Sequence, residues 1–95
     1  MKEAMKRNPL KFPNLSRSYD AKHQCVRFWA YDDALEVPFF VQASAICRID
    51  PTVSRDEIGL LTAFDLHRER ICRAAGRVYS RHSRGSYTLS ASDIK

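Results

Sequence analysis

Glycine is scarce, at three residues in 95, so the glycine-rich loop that cradles a phosphate is missing. No wholly apolar run exceeds Val37-Pro-Phe-Phe-Val41, far short of the about 20 residues that cross a bilayer as a helix. Met1 to Pro9 carries basic side chains with no apolar stretch behind them, which is not the pattern of a secretory signal. Cysteine is limited to Cys25, Cys47 and Cys72, an odd and widely spaced set. That excludes a disulfide scaffold and suits free thiols in a reducing cytosol. There is no C-x-x-C pair, no H-x-x-x-H, no H-E-x-x-H and no G-x-S-x-G. No metal, no cofactor and no catalytic residue is therefore expected, and the chain does not read as an enzyme.

What is present is enough for one domain and too little for two. Ten aromatic residues offer the apolar surface that a disordered chain lacks. The net charge of +5 is unevenly distributed. Residues 1–18 carry +4, residues 19–66 carry −4, and residues 67–95 carry +5. An anionic partner would meet the two ends of the sequence rather than its middle.

Residues 1–9 read as a flexible N-terminal arm and residues 10–95 as a single domain. Leu10-Lys-Phe12 alternates and is expected to be a short first strand, while Ser16 to Lys22 is rich in turn-formers and reads as a loop. Gln24 to Tyr31 and Leu35 to Val41 have strand chemistry and flank Asp32-Asp33, so they form a hairpin. A two-residue Asp-Asp loop sets Phe28 across from Val37, Val26 across from Phe39, Trp29 across from Glu36 and Arg27 across from Pro38. One face then carries Val26, Phe28, Ala30, Leu35, Val37, Phe39 and Val41, and the other Arg27, Trp29, Tyr31, Glu36, Phe40 and Gln42. Pro38 has no N–H to donate, which places the second strand at an edge or a bulge.

Ala43 to Ile49 is long enough for two helical turns, closed by Asp50-Pro51. Ser54-Arg-Asp-Glu57 matches a capping box and opens a long helix that runs to about Ser80, with Leu60, Leu61, Phe64, Ile71, Ala74, Ala75, Val78 and Tyr79 on one arc. Ser86 to Ser90 alternates as a last strand. The expected fold class is α+β: a small two-layer domain in which an antiparallel sheet, the hairpin plus short N-terminal and C-terminal strands, packs on one long and one short helix.

Leu10-Lys-Phe-Pro-Asn14, Ser18-Tyr-Asp20, Val26-Arg-Phe28, Val37-Pro-Phe-Phe-Val41, Ala63-Phe64, Arg70-Ile71 and Gly85-Ser-Tyr-Thr-Leu89 together resemble a family of short bacterial proteins, domain of unknown function 1488. The resemblance spans about residues 10–90. It implies a compact two-layer α+β fold and a cytoplasmic bacterial origin. It assigns no activity and no functional residue.

Two groups of residues stand out as candidate contact surfaces. Arg27, Trp29, Tyr31 and Phe40 gather on the mixed face of the hairpin, an aromatic and basic cluster of the kind that marks a protein contact, a second copy of the chain included. The same chemistry could stack unpaired bases, and a covering segment such as Leu10, Phe12 and Leu15 could bury it. Arg70, Arg73, Arg77, Arg81 and Arg84 form a row at spacings of 3, 4, 4 and 3, a candidate anion or nucleic-acid face. The bland alternative is a solvated helix face in which Glu69 pairs with Arg73. The main expectation is a non-catalytic protein-interaction module, possible as a homodimer; the alternative is a nucleic-acid-binding protein that uses the arginine row. No membrane partner is expected. His23-Gln-Cys25 is the one pair with both side chains on one side of a strand, and it falls short of a metal site.

Overall fold

The computed structural model describes residues 10–79 and 86–94. In chain order the elements are β1 (Arg17–Asp20), β2 (Cys25–Asp32), β3 (Leu35–Gln42), α1 (Ala43–Ile49), α2 (Glu57–Leu66), α3 (Arg68–Val78), β4 (Tyr87–Leu89) and a 3-10 turn at Ala91–Asp93. The strands make one sheet in the order β1-β2-β3-β4. The first three pair antiparallel, whereas β4 pairs parallel to β3. The fold is thus α+β with a mostly antiparallel sheet, and the parallel fourth strand corrects the all-antiparallel expectation.

A parallel pair cannot be joined by a tight turn, so the chain between β3 and β4 must cross over the sheet. All three helices lie within that one crossover and therefore cover the same face. Into that face point Val26, Phe28, Ala30, Val37, Phe39, Val41 and Leu89, all buried. Leu60, Phe64, Ile71, Ala74 and Ala75 meet them from the helices. Phe28 is the hub, with ring centroids 5.1 Å from Phe64, 5.5 Å from Phe39 and 6.4 Å from Phe12.

The hairpin is slipped by two residues from its expected register. Phe28 opposes Phe39, Trp29 opposes Pro38, Arg27 opposes Phe40 and Tyr31 opposes Glu36. The turn is Asp33-Ala34, because Asp32 still pairs with Leu35, and Asp33 takes the positive φ of 58° that its short polar side chain tolerates. A slip of two keeps every side chain on its own face, so the division into apolar and mixed faces holds. Leu35, expected in the core, is exposed because it lies at the turn.

Other expectations change as well. Leu10-Lys-Phe12 forms only a single bridge, Lys11 to Tyr31, and the N-terminal strand is instead Arg17–Asp20 inside the stretch read as a loop. Pro38 sits in an interior strand, yet β4 first pairs at Phe39, so the missing N–H costs no ladder bond on that side among the described residues. The long helix divides at His67 (φ −107°, ψ 19°). There His67 Nε2 lies 3.2 Å from Asp50 Oδ2 at the end of α1, and the elbow lets α2 lie over β1 and β2 while α3 turns toward β4. The N-cap of α2 is Asp56, whose carboxylate accepts from the Gly59 N–H at 2.7 Å, rather than Ser54.

A charge network ties the sheet edge to the elbow. Arg17 donates Nε and Nη2 to the two oxygens of Asp65 at 2.9 and 2.7 Å. Arg68 donates to Asp65 Oδ1 and to the Leu15 carbonyl, both at 2.9 Å, and its guanidinium lies 4.8 Å from the centre of Phe64. These bonds hold the Asp65 carboxyl below the usual carboxylate range, Arg17 being the larger cause. The expected N-terminal arm, residues 1–9, lies outside the described residues.

Candidate functional site: the open face of the sheet

With the described helices on one side, the opposite face of the sheet presents the side chains of its own strands. Strand alternation and register arrange them in rows. Asp20, Cys25 and Gln42 form one row; Ser18, Arg27, Phe40 and Thr88 the next; then come Trp29 with Pro38, and Lys11 with Tyr31 and Glu36. Successive rows are about 6.8 Å apart, two residues of extended chain. The sequence-derived contact residues Arg27, Trp29, Tyr31 and Phe40 are all here, and the structure brings them together. Leu10 and Phe12 pack into the core on the other side and Leu15 is exposed, so among the described residues the N-terminal segment meets this face only beside Tyr31, where Lys11 bridges to it and Asn14 bonds its hydroxyl.

Arg27 is its centre of charge. The guanidinium carbon lies 5.3 Å from the Trp29 ring centre and 5.7 Å from that of Phe40. Ring faces hold a cation without using its N–H donors. Among the described residues, no carboxylate pairs with Arg27 and no acceptor takes its N–H groups. Trp29, Pro38 and Phe40 are each only partly covered. Two rows from Arg27, Tyr31 stands between Lys11 and Glu36. There Tyr31 donates its hydroxyl to Glu36 Oε2 at 2.9 Å, which fixes the exposed carboxylate and raises the Tyr31 phenol above its ordinary value.

Beside Arg27 lies a groove of about 380 Å³ whose floor is Cys25 and whose rim includes Asp20, His23, Gln42 and Thr88. The β1–β2 turn shapes it, with Gln24 at φ 52°. Asp20 Oδ1 accepts the His23 backbone N–H at 3.1 Å, and Oδ2 lies 2.8 Å from His23 Nδ1. The His23 ring is the main reason that the Asp20 carboxyl lies below its ordinary range. Cysteine, histidine and aspartate in one groove invite comparison with a nucleophile, base and orienting acid. Cys25, however, is buried, and burial with the nearby Asp20 charge pushes its thiol up, whereas a nucleophilic cysteine needs a lowered value. Among the described residues, no group of three or more His, Cys, Asp or Glu is placed to hold a metal. The groove was not read from the sequence because Asp20, His23, Ser86 and Thr88, half of its lining, come from outside the hairpin. Extending the alternation of Arg27, Trp29 and Tyr31 back to Cys25 was the signal available.

The described members of the arginine row, Arg70, Arg73 and Arg77, lie on the helix layer and do not join the open face. Arg70 is half-buried; Arg73 pairs with Glu69 at 3.4 Å across one helical turn; Arg77 donates to the Asp93 carbonyl at 3.2 Å. Arg81 and Arg84 lie outside the described residues. Among the described residues, no helix is long and apolar enough to cross a membrane.

No curated protein matches the chain. Among solved structures it is similar to a protein of unknown function from the DUF1488 family of Shewanella loihica PV-4, with a TM-score of 0.72 at 11% identity, covering 87% of this chain and 93% of that one. At that identity the likeness speaks for the fold alone. The profile described as protein of unknown function (DUF1488) matches residues 10–90, nearly the whole described chain, and the protein belongs to that family.

Proposed function

We propose that the protein is a non-catalytic interaction module that docks a protein partner on the open face of its sheet. The observation that carries this reading is Arg27, held over Trp29 and Phe40 with its N–H donors unused among the described residues. Aromatic and arginine side chains on a partly covered patch are the composition of interface centres. Their positions are set before a partner arrives, which lowers the ordering cost of binding. A partner that places a carboxylate on Arg27 and apolar surface on Trp29 and Pro38 would satisfy the face. The alternative, nucleic acid along the arginine row, draws on Arg73 and Arg77, which already hold groups of the same chain.

A photo-crosslinking side chain at position 29, irradiated in the native cells, tests the proposal. Covalent protein adducts are expected from position 29 and not from Thr62 on the exposed helix surface. Absence of any protein adduct at position 29 would overturn it.

A further inference from the structure

We infer that the occupant of the open face is a second copy of the chain, docked face to face about a two-fold axis that crosses the Trp29–Pro38 row. This rests on the interaction reading above and makes its partner specific. An isologous contact requires a surface complementary to itself. Here Arg27 and Glu36 stand in the rows on either side of Trp29 and Pro38, with Lys11 beside Tyr31 at the opposite end of the Glu36 row. The two lie about 14 Å apart along the strands. An axis midway between them, perpendicular to the line that joins them, lays each Arg27 on the Glu36 of the other copy. The same operation brings the two Trp29 rings against each other at the centre.

The next rows out fit in shape, and they bring Asp33 of one copy toward the Asp20 that His23 holds in the other. On the Arg27 side the small Cys25, between Asp20 and Gln42, leaves the groove of about 380 Å³. On the Glu36 side, at the same distance from the axis, the sheet ends in the exposed turn Asp33-Ala34. The two-fold operation therefore carries the turn of each copy to the groove of the other. Arg27 is set by two aromatic rings and Glu36 by the Tyr31 hydroxyl, so both partners of the ion pair are fixed in advance. The footprint, about 27 Å of strand by 15 Å of sheet width, is about 400 Å² per copy, the size of a reversible contact rather than an obligate one.

Charge exchange in trans tests both the partner and the register. By sedimentation from about 10 µM to 0.5 mM, the wild type is expected to pass from 11.0 kDa to twice that mass. Arg27→Glu and Glu36→Arg should each weaken self-association at least tenfold. An equimolar mixture of the two variants should associate again, because each then offers the charge that the other lacks. Circular dichroism of each variant establishes that it is folded; both positions are exposed, so loss of fold is not expected. A wild type that stays monomeric at 0.5 mM, single variants that associate like the wild type, or a mixture that does not recover would each overturn the inference. A position-29 adduct with a different protein, together with a monomeric wild type, would overturn the second copy and leave the interaction reading standing.

Discussion

Phe28 and Trp29 are neighbours in sequence on opposite faces of one strand, and truncating each to alanine measures how differently the two faces are packed. Phe28 is 1% exposed and its ring meets three others. Phe28→Ala should cost about 3–5 kcal/mol, the sum of lost transfer energy and an incompletely collapsed cavity. A domain of this length has about 5–14 kcal/mol in total, so the variant should stay folded only narrowly. With a urea slope of about 1.5–2 kcal/mol/M, the midpoint should fall by about 2 M with the slope unchanged. Trp29 is only partly covered on the open face, and Trp29→Ala should cost about 1 kcal/mol or less, inside the range of surface substitutions. Both are followed by circular dichroism at about 1 µM, since Trp29 is the only tryptophan and self-association must be avoided. Equal losses for the two variants would refute the reasoning, because the outer face would then be packed as tightly as the core in the isolated chain.

Two further predictions concern the helix layer. A Cβ at Gly59 would stand 2.2 Å from the Ser54 carbonyl oxygen, so Gly59→Ala should lower the melting temperature by about 5–15 °C even though alanine favours a helix by about 1 kcal/mol; a rise would refute the close approach. The Asp65 carboxyl lies below its ordinary value of 3.8, so its stabilisation is present above that value and is lost as pH falls through the lower folded value. Thermal unfolding from pH 7 to pH 2 should show this acid limb, with Asp50 and Asp20 acting in the same direction, and Asp65→Asn should make it shallower; an unchanged limb would mean that the Arg17 pair does not form in solution.

Much of this architecture is legible in the residues, and the exceptions have physical causes. The two faces of the hairpin follow from alternation alone, which is why they survive a register two residues out. The register itself depends on whether Asp32 or Asp33 takes the positive φ, and two adjacent aspartates do not distinguish these. Strand β1 is held by its ladder to β2 and by the bond from Arg17 to Asp65, contacts with residues distant in sequence, while its own serines and aspartate read as a turn. The elbow at His67 has neither proline nor glycine to announce it. Its cause is a partner, Asp50, that lies 17 positions earlier. The contact residues Arg27, Trp29, Tyr31 and Phe40 were visible because they belong to one hairpin, whereas the groove beside them needs four strands to exist.

The parallel pairing of β3 with β4 also sets an order of events in folding. Strands β1 to β3 are joined by tight turns and can form from contacts close in sequence, but about half of the chain separates Val41 from Leu89. Until the C-terminal residues arrive, the edge of Phe39 to Val41 offers unpaired backbone groups beside two of the most buried side chains in the protein, Phe39 and Val41. On the ribosome that edge is exported long before the strand that caps it, so the interval between the two is when the chain is most open to pairing with a stranger.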